Sequence, residues 1–197
     1  MQRIAVEDRR AALLAALVAV IARDGIGQAS TRAVAAEAGM PTASVHYVFA
    51  SHDAMLAELV ESILAAQSTA VAEAVVEAST LRDYTERALQ GWLDRAAAAP
   101  EAELALHEIV GWSRSRPGLH GLAAMVYGQY VVVVRSFVEA AEARYGARWR
   151  VPSADVERFV LVLTDGVAAR WLVDRDDEAA RRSLALGAQA VLGLVRA

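Results

Sequence analysis

Apolar residues recur three and four positions apart through almost the whole chain, and the pattern is interrupted only at a few glycine and proline sites. That periodicity admits helices and argues against sheets. Leu13, Leu14, Leu17, Val18 and Ile21 give a first helix one apolar face, which stops at Asp24-Gly25, with Ile26 able to pack back. Ser30 is placed to cap a short second helix, Thr31 to Ala38, that ends at Gly39. A third short helix follows over Thr42 to Val48. Ser51 then caps a fourth, with Asp53 in its first turn and a buried stripe of Met55, Leu56, Leu59, Val60, Ile63 and Leu64. Further helices are predicted at 81–98, 101–115, 117–145, 153–174 and 177–196. They are separated at Pro100, Arg116-Pro117-Gly118, Gly146 to Pro152 and Asp174 to Asp177. The valine run 131–134 favours strand by propensity but lies inside a long helical pattern, so it reads as helix. The expectation is an all-α chain of about nine helices.

Composition supports this and excludes several chemistries. Only 12 glycines and 4 prolines occur in 197 residues, and 56% of the chain is hydrophobic, enough for a sizeable core. There is no cysteine, which removes disulfides, thiolate metal sites and cysteine nucleophiles. The net charge of −4 argues against a generic polyanion binder. The first 55 residues balance Arg3, Arg9, Arg10, Arg23 and Arg32 against Glu7, Asp8, Asp24, Glu37 and Asp53. If that segment binds nucleic acid, its salt dependence should be moderate. The apolar run Ala11 to Ala22 is too short to span a bilayer and no small-residue cleavage site follows it. The expectation is a cytoplasmic protein without a membrane partner.

The informative stretch is Ser30 to Phe49, STRAVAAEAGMPTASVHYVF. Two short helices joined at a glycine turn, the second too short to stabilise itself, form a bihelical unit in which one helix braces the other. Val34, Ala35 and Ala38 can make the inner face of the first, while Val45 and Phe49 fill the space between them. Thr42, Ala43, Ser44, His46, Tyr47 and Val48 are left to divide between DNA and scaffold. Small polar residues suit close approach to a groove floor, and a tyrosine hydroxyl suits a phosphate oxygen. Tyr47 could equally be a core residue, Arg32 a solvated charge, and His46 and His52 ordinary surface histidines. The two histidines do not have a metal-ligand spacing.

Over about residues 9–60 the chain resembles the tetracycline-repressor (TetR) family. The matching elements are Gly25, Ser30-Thr31, Ala38-Gly39, Tyr47-x-Phe49 and Ser51. Departures are His46 at the usual first aromatic of the recognition helix, His52 at the usual lysine after the capping serine, and Pro41 where a capping serine is common, so that Thr42 is expected to take over the cap. The resemblance implies a DNA-binding domain over 1–50 and a ligand-sensing and dimerisation domain over 51–197. It further implies that His46, Tyr47 and His52 lie near phosphates, that Thr42, Ala43 and Ser44 face base edges, and that Thr31 and Arg32 supply the second helix's contacts. The partners it implies are a double-stranded operator, a small-molecule effector and a second copy of the chain, with no cofactor.

The larger region offers Trp92, Trp112, Tyr127, Tyr130 and Phe137 among small residues, the composition of an apolar pocket or simply of a filled core. His107 and Arg135 are candidate polar handles, although each has an acidic neighbour four residues away, Glu103 and Glu139. Asp165 sits in an apolar stretch, where it could bond across a helix interface with Gly166 permitting close approach. Val156, Phe159, Val160, Leu163, Val167 and Trp171, then Leu184, Ala188, Val191, Leu192 and Val195, give the last two helices more apolar surface than one domain needs, which suits a two-fold interface. The reading that follows is a ligand-responsive DNA-binding repressor. The alternatives are a helical dimer whose bihelical unit binds only protein, and a helical-bundle enzyme. The latter lacks Glu-x-x-His pairs, a nucleophile elbow or a phosphate-binding glycine loop.

Overall fold

The computed structural model of the chain describes residues 5–115 and 120–196. Among these the regular elements are helical: α1 (Val6–Asp24), a 3-10 turn (Ile26–Gln28), α2 (Thr31–Glu37), α3 (Thr42–Val48), α4 (His52–Ala74), α5 (Leu81–Ala98), α6 (Pro100–Arg114), α7 (His120–Tyr145), α8 (Ser153–Asp174) and α9 (Asp177–Gly193). The valine run is helical, as expected. The expected break at Arg116-Pro117-Gly118 and the first residues of the helix predicted from 117 lie outside the described residues.

Local chemistry accounts for most of the boundaries. Ser30 Oγ accepts from Ala33 N at 3.2 Å, and Ser51 Oγ accepts from Ala54 N at 3.0 Å, so both predicted caps form. Gly39, at φ 64°, makes the turn between α2 and α3 in a conformation that side chains rarely adopt. Thr42 does not cap α3. It is the first residue of that helix, and Pro41 precedes it at φ −60° with no side-chain cap. The fixed φ of proline aims its carbonyl at Ser44 N, 2.8 Å away, which starts the helix without a hydroxyl. The last helix stops at Gly193 rather than 196. Arg150 N donates to Leu194 O and Arg196 N donates to Arg148 O, both at 2.7 Å, drawing the tail into extended pairing with the loop after α7.

The described residues of Met1–Ile63 and Glu101–Val126 form one compact unit, and those of Leu64–Pro100 and Tyr127–Ala197 form another. In the first unit α1, α2 and α3 pack on one another. The whole stripe Met55, Leu56, Leu59, Val60 and Ile63 of α4 is buried there. This unit extends beyond residue 50 because α4 is bound into it: Arg10 of α1 pairs with Glu58, and His52 bonds the Ala29 carbonyl between the 3-10 turn and α2. In the second unit α9 packs against α5 and α8 around Leu89, Leu93, Val167, Trp171, Leu184 and Ala188.

Two expectations are corrected in the second unit. Arg135 pairs with Glu157 of α8 at 3.3 Å rather than with Glu139. Glu157 is buried to 6% exposure, and a buried carboxylate needs a cation more than a solvated one does. Gly166 is not a close-approach point, since a Cβ there would meet nothing within 4 Å. The close approaches are at Gly91, where a Cβ would lie 2.6 Å from Ala74 Cβ, and at Gly187, where it would lie 2.2 Å from Leu163 Cδ2. By length and composition alone, His52–Ala74 and Gly121–Tyr145 could cross a bilayer. The first of these carries the buried stripe of a core helix.

The glycine contacts give a direct test of packing. Alanine at Gly91 gains about 1 kcal/mol of helix propensity but forces α4 and α5 apart, because Ala74 Cβ cannot rotate away. Overpacking of this kind costs about 1–3 kcal/mol. Thermal unfolding should show Gly91→Ala destabilised, with stability recovered in the double variant carrying Ala74→Gly. Gly187→Ala should be milder, since Leu163 can change rotamer.

Candidate nucleic-acid interface and apolar cavity

Burial divides α3 cleanly into two faces. Val45 is 1% exposed and Phe49, just past the helix end, 3%, whereas Tyr47 is 68% exposed and Ala43 and His46 also face solvent. Thr42 and Ser44 are half-buried at the helix start, and on α2 Thr31 is half-buried and Arg32 exposed. Apart from His52 on α4, the residues singled out for DNA contact in the sequence thus lie at exposed or half-buried positions of the two helices, while Val34 and Ala35 face inward and are fully buried. Val48 stays half-buried and contributes to the scaffold.

The side chains around this surface are held by charge. The Arg9 guanidinium lies over the Tyr47 ring, 5.7 Å from its centroid, and Arg10 lies over Phe49 at 5.5 Å while pairing with Glu58. Arg23 at the end of α1 donates to Glu37 at the end of α2 at 2.9 Å and also pairs with Asp24. These carboxylates hold its proton more tightly than usual. His52 has a different position from the other candidates. Its Nε2 donates to Ala29 O at 2.8 Å, and its ring meets Trp112 edge-on at 6.3 Å. A phosphate contact through that nitrogen would compete with the bond to Ala29. The sequence missed this role because the acceptor is a backbone carbonyl, which no residue type advertises.

In the second unit a cavity of about 90 Å³ is lined by Leu64, Gln67, Val71, Ala88, Leu89, Trp92, Tyr130, Val133, Val134, Phe137, Val160, Leu161 and Thr164. Of the seven expected ligand residues, Trp92, Tyr130 and Phe137 come together here. Tyr127 lies beside Tyr130, with ring centroids 6.3 Å apart, and its hydroxyl donates to Asp165 at 3.4 Å. Asp165 therefore does bond across a helix interface. Arg135 is engaged by Glu157, and His107 and Trp112 belong to the other compact unit, where His107 lies 3.5 Å from Glu103 as its spacing predicted. Gln67 and Thr164 were missed. Both continue apolar stripes at helical spacing, Leu64–Gln67–Val71 and Val160–Thr164–Ala168, and a polar residue in such a stripe is the signal that could have found them. A second cavity of about 60 Å³ adjoins through shared lining residues and includes Tyr84 and Trp149. Among the described residues no cluster of three His, Asp or Glu could hold a metal.

Residues 13–59 match the profile of bacterial regulatory proteins of the tetR family. The chain carries the N-terminal region of that family. It is a DNA-binding transcriptional regulator. The regulator is 27% identical over 175 residues to the nicotine-responsive transcriptional repressor HdnoR of Paenarthrobacter nicotinovorans, covering 89% of each chain. Its fold matches the fatty acid degradation regulator FadR of Bacillus halodurans, with a TM-score of 0.80 at 15% identity over 98% of this chain and 97% of that one. It also matches FadR of Bacillus subtilis in complex with stearoyl-CoA, with a TM-score of 0.77 at 12% identity over 94% and 99%.

One group beside the cavities has a shifted proton affinity with a measurable consequence. Tyr84 is 3% exposed and its hydroxyl donates to the Phe137 carbonyl at 3.1 Å. Burial pushes its pKa from 10.0 to about 12, with Arg144 opposing and Tyr145 adding to the shift. The folded regulator thus holds this proton more tightly than the unfolded chain does. Tyr84's contribution to stability is complete below pH 10 and is lost as the pH rises from 10 towards 12. Denaturant unfolding of Tyr84→Phe should show a shallower loss of stability over that interval than the parent.

Proposed function

We propose that the regulator is a homodimeric repressor, located in the cytoplasm, that leaves a palindromic operator when a small, mainly apolar molecule occupies the cavity of its second unit. The observation that carries the reading is the division of α3: Val45 and Phe49 are buried while Ala43, His46 and Tyr47 are offered outward beside Arg32. In this reading Thr42, Ala43 and Ser44 meet base edges. Thr31, Arg32, His46 and Tyr47 meet the backbone, with His52 mainly an internal brace.

A palindrome requires two copies, and the last two helices supply a surface for pairing. Phe159, Val162 and Val173 of α8 and Leu186 of α9 are exposed by 37%, 65%, 78% and 66%, interspersed with the small residues Gly166, Ala169 and Ala190. Exposed apolar side chains on adjacent helices favour a two-fold helical interface. Effector response is supported by the nicotine-responsive repressor and the acyl-CoA-bound FadR among its relatives, together with the cavity itself. An effector acts only if it binds the released conformation more tightly than the operator-bound one.

Selection of operators from random DNA by the purified protein should return inverted repeats with half-sites centred about one helical turn or somewhat more apart. Tyr47→Phe should weaken binding to all selected sites by a similar factor, whereas Ser44→Ala should change the order of preference among them. Equal effects of both variants on every sequence would refute this division of labour. Val162→Glu should yield monomers in sedimentation and lose affinity for full palindromes much more than for isolated half-sites. A dimer that survives this change places the interface elsewhere.

A further inference from the structure

The two cavities of the second unit share Ala88, Leu89, Val134, Phe137 and Val160 in their linings. Phe137 is the largest of the five side chains and the only aromatic one, so its truncation would open the most space between the two. It is fixed in two ways. Tyr84 donates to its carbonyl, and the Tyr84 ring stands 6.5 Å away, tilted by 44°. Trp92 and Thr164 line only the first space, and Tyr84 and Trp149 only the second.

The chemistry of the walls is equally selective. No Asp, Glu, Arg or His is among the described residues lining either cavity. Arg135, the candidate cation, is paired with Glu157 instead. A carboxylate or ammonium entering this space would lose hydration without a counter-ion among the lining side chains, which disfavours charged occupants. The Thr164 hydroxyl donates to the carbonyls of Val160 and Leu161, at 3.1 Å each. Its proton is thus engaged and its oxygen is left to accept from a ligand.

Volume limits the size. A buried apolar cavity of about 150 Å³ holds a benzene molecule, and the first cavity here is about 90 Å³. We propose that this cavity takes a short, uncharged, mainly apolar molecule with one hydrogen-bond donor, seated between Trp92 and Thr164, and that Phe137 sets its maximum length. The assignment of this molecule as the effector rests on the repressor reading above. The specificity of the cavity stands apart from it.

The test uses the full-length regulator and three probe series, the straight-chain 1-alkanols from propanol to decanol and the carboxylates and primary amines of matching length. Binding is read by calorimetry and tryptophan fluorescence without DNA. In the parent, alkanol affinity should rise about three- to fourfold per methylene and then level off. Each alkanol should bind at least tenfold more tightly than the acid or amine of its length. Phe137→Ala should extend the rise by two or more carbons, and the longer alkanols should then perturb Trp149 emission, identified by its loss in a Trp149→Phe background. Phe137→Leu, a milder change for folding, should extend it by less. Charged probes binding as well as alkanols, no binding by any alkanol, or an unchanged length limit in both Phe137 variants would overturn the proposal. Operator retention is measured separately with the same probes. Alkanols that bind as described but leave operator retention unchanged support the cavity assignment and refute only release by such a molecule. Release by long or charged probes alone keeps the repressor reading and overturns only the assignment of such a molecule as the effector, while the binding series decides the cavity assignment.

Discussion

Seven residues of helix cannot hold themselves together in water, and α3 begins at a proline without a side-chain cap. Its existence and its direction therefore come from the burial of Val45 and Phe49 and from packing against α1 and α2. Fixing those two side chains inward sends Ala43, His46 and Tyr47 outward, so a packing constraint decides which residues can meet DNA. Arg10 reinforces the arrangement by covering the Phe49 ring while pairing with Glu58, which binds α4 to the same small unit. The bond from His52 to Ala29 does the same from the start of α4. The outward face of α3 is thus pre-ordered, and on the proposed reading little conformational entropy remains to be lost when it meets DNA.

The second unit is built on different terms. Its helices approach closely at Gly91 and Gly187, where even a methyl group would clash, yet they leave unfilled space around Trp92, Tyr130 and Phe137. Tight crossings beside an incompletely filled interior are a means of holding a cavity open, since the glycine contacts fix the helix spacing and the large rings keep the walls apart. The uncharged lining then favours neutral, apolar occupants. On the proposed reading, specificity for DNA and specificity for a ligand rest on separate physics, hydrogen bonding at an exposed surface in one unit and desolvation in an apolar pocket in the other.

Much of this was legible in the sequence, and particular residues show why. Helix positions followed from local rules: the spacing of Leu13, Leu17 and Ile21, the caps at Ser30 and Ser51, and the turn at Gly39 each depend on neighbours within four residues. The candidate DNA surface was legible because buried and exposed positions alternate predictably on a two-turn helix. The cavity was only half legible. Trp92, Tyr130 and Phe137 stood out as large rings among small residues, but Trp112, Tyr127, His107 and Arg135 stood out equally, and nothing in residue type separated the two sets. Gln67 and Thr164 were overlooked because a single polar residue in an apolar stripe looks like an exception to the stripe.

The sequence by itself determined the all-α class, the order and nearly all the boundaries of the helices, and the inward and outward faces of the bihelical unit. Periodicity, capping and turn chemistry are short-range, and a linear string records them. Only the tertiary structure decided which of the large side chains meet around one space, that Arg135 answers Glu157 on another helix, that His52 bonds a carbonyl 23 residues earlier, and that Gly91 and Gly187 rather than Gly166 set the helix spacing. Each of these joins residues that are distant in the chain. Their partners are selected by how whole helices cross, which depends on the volumes of many side chains at once.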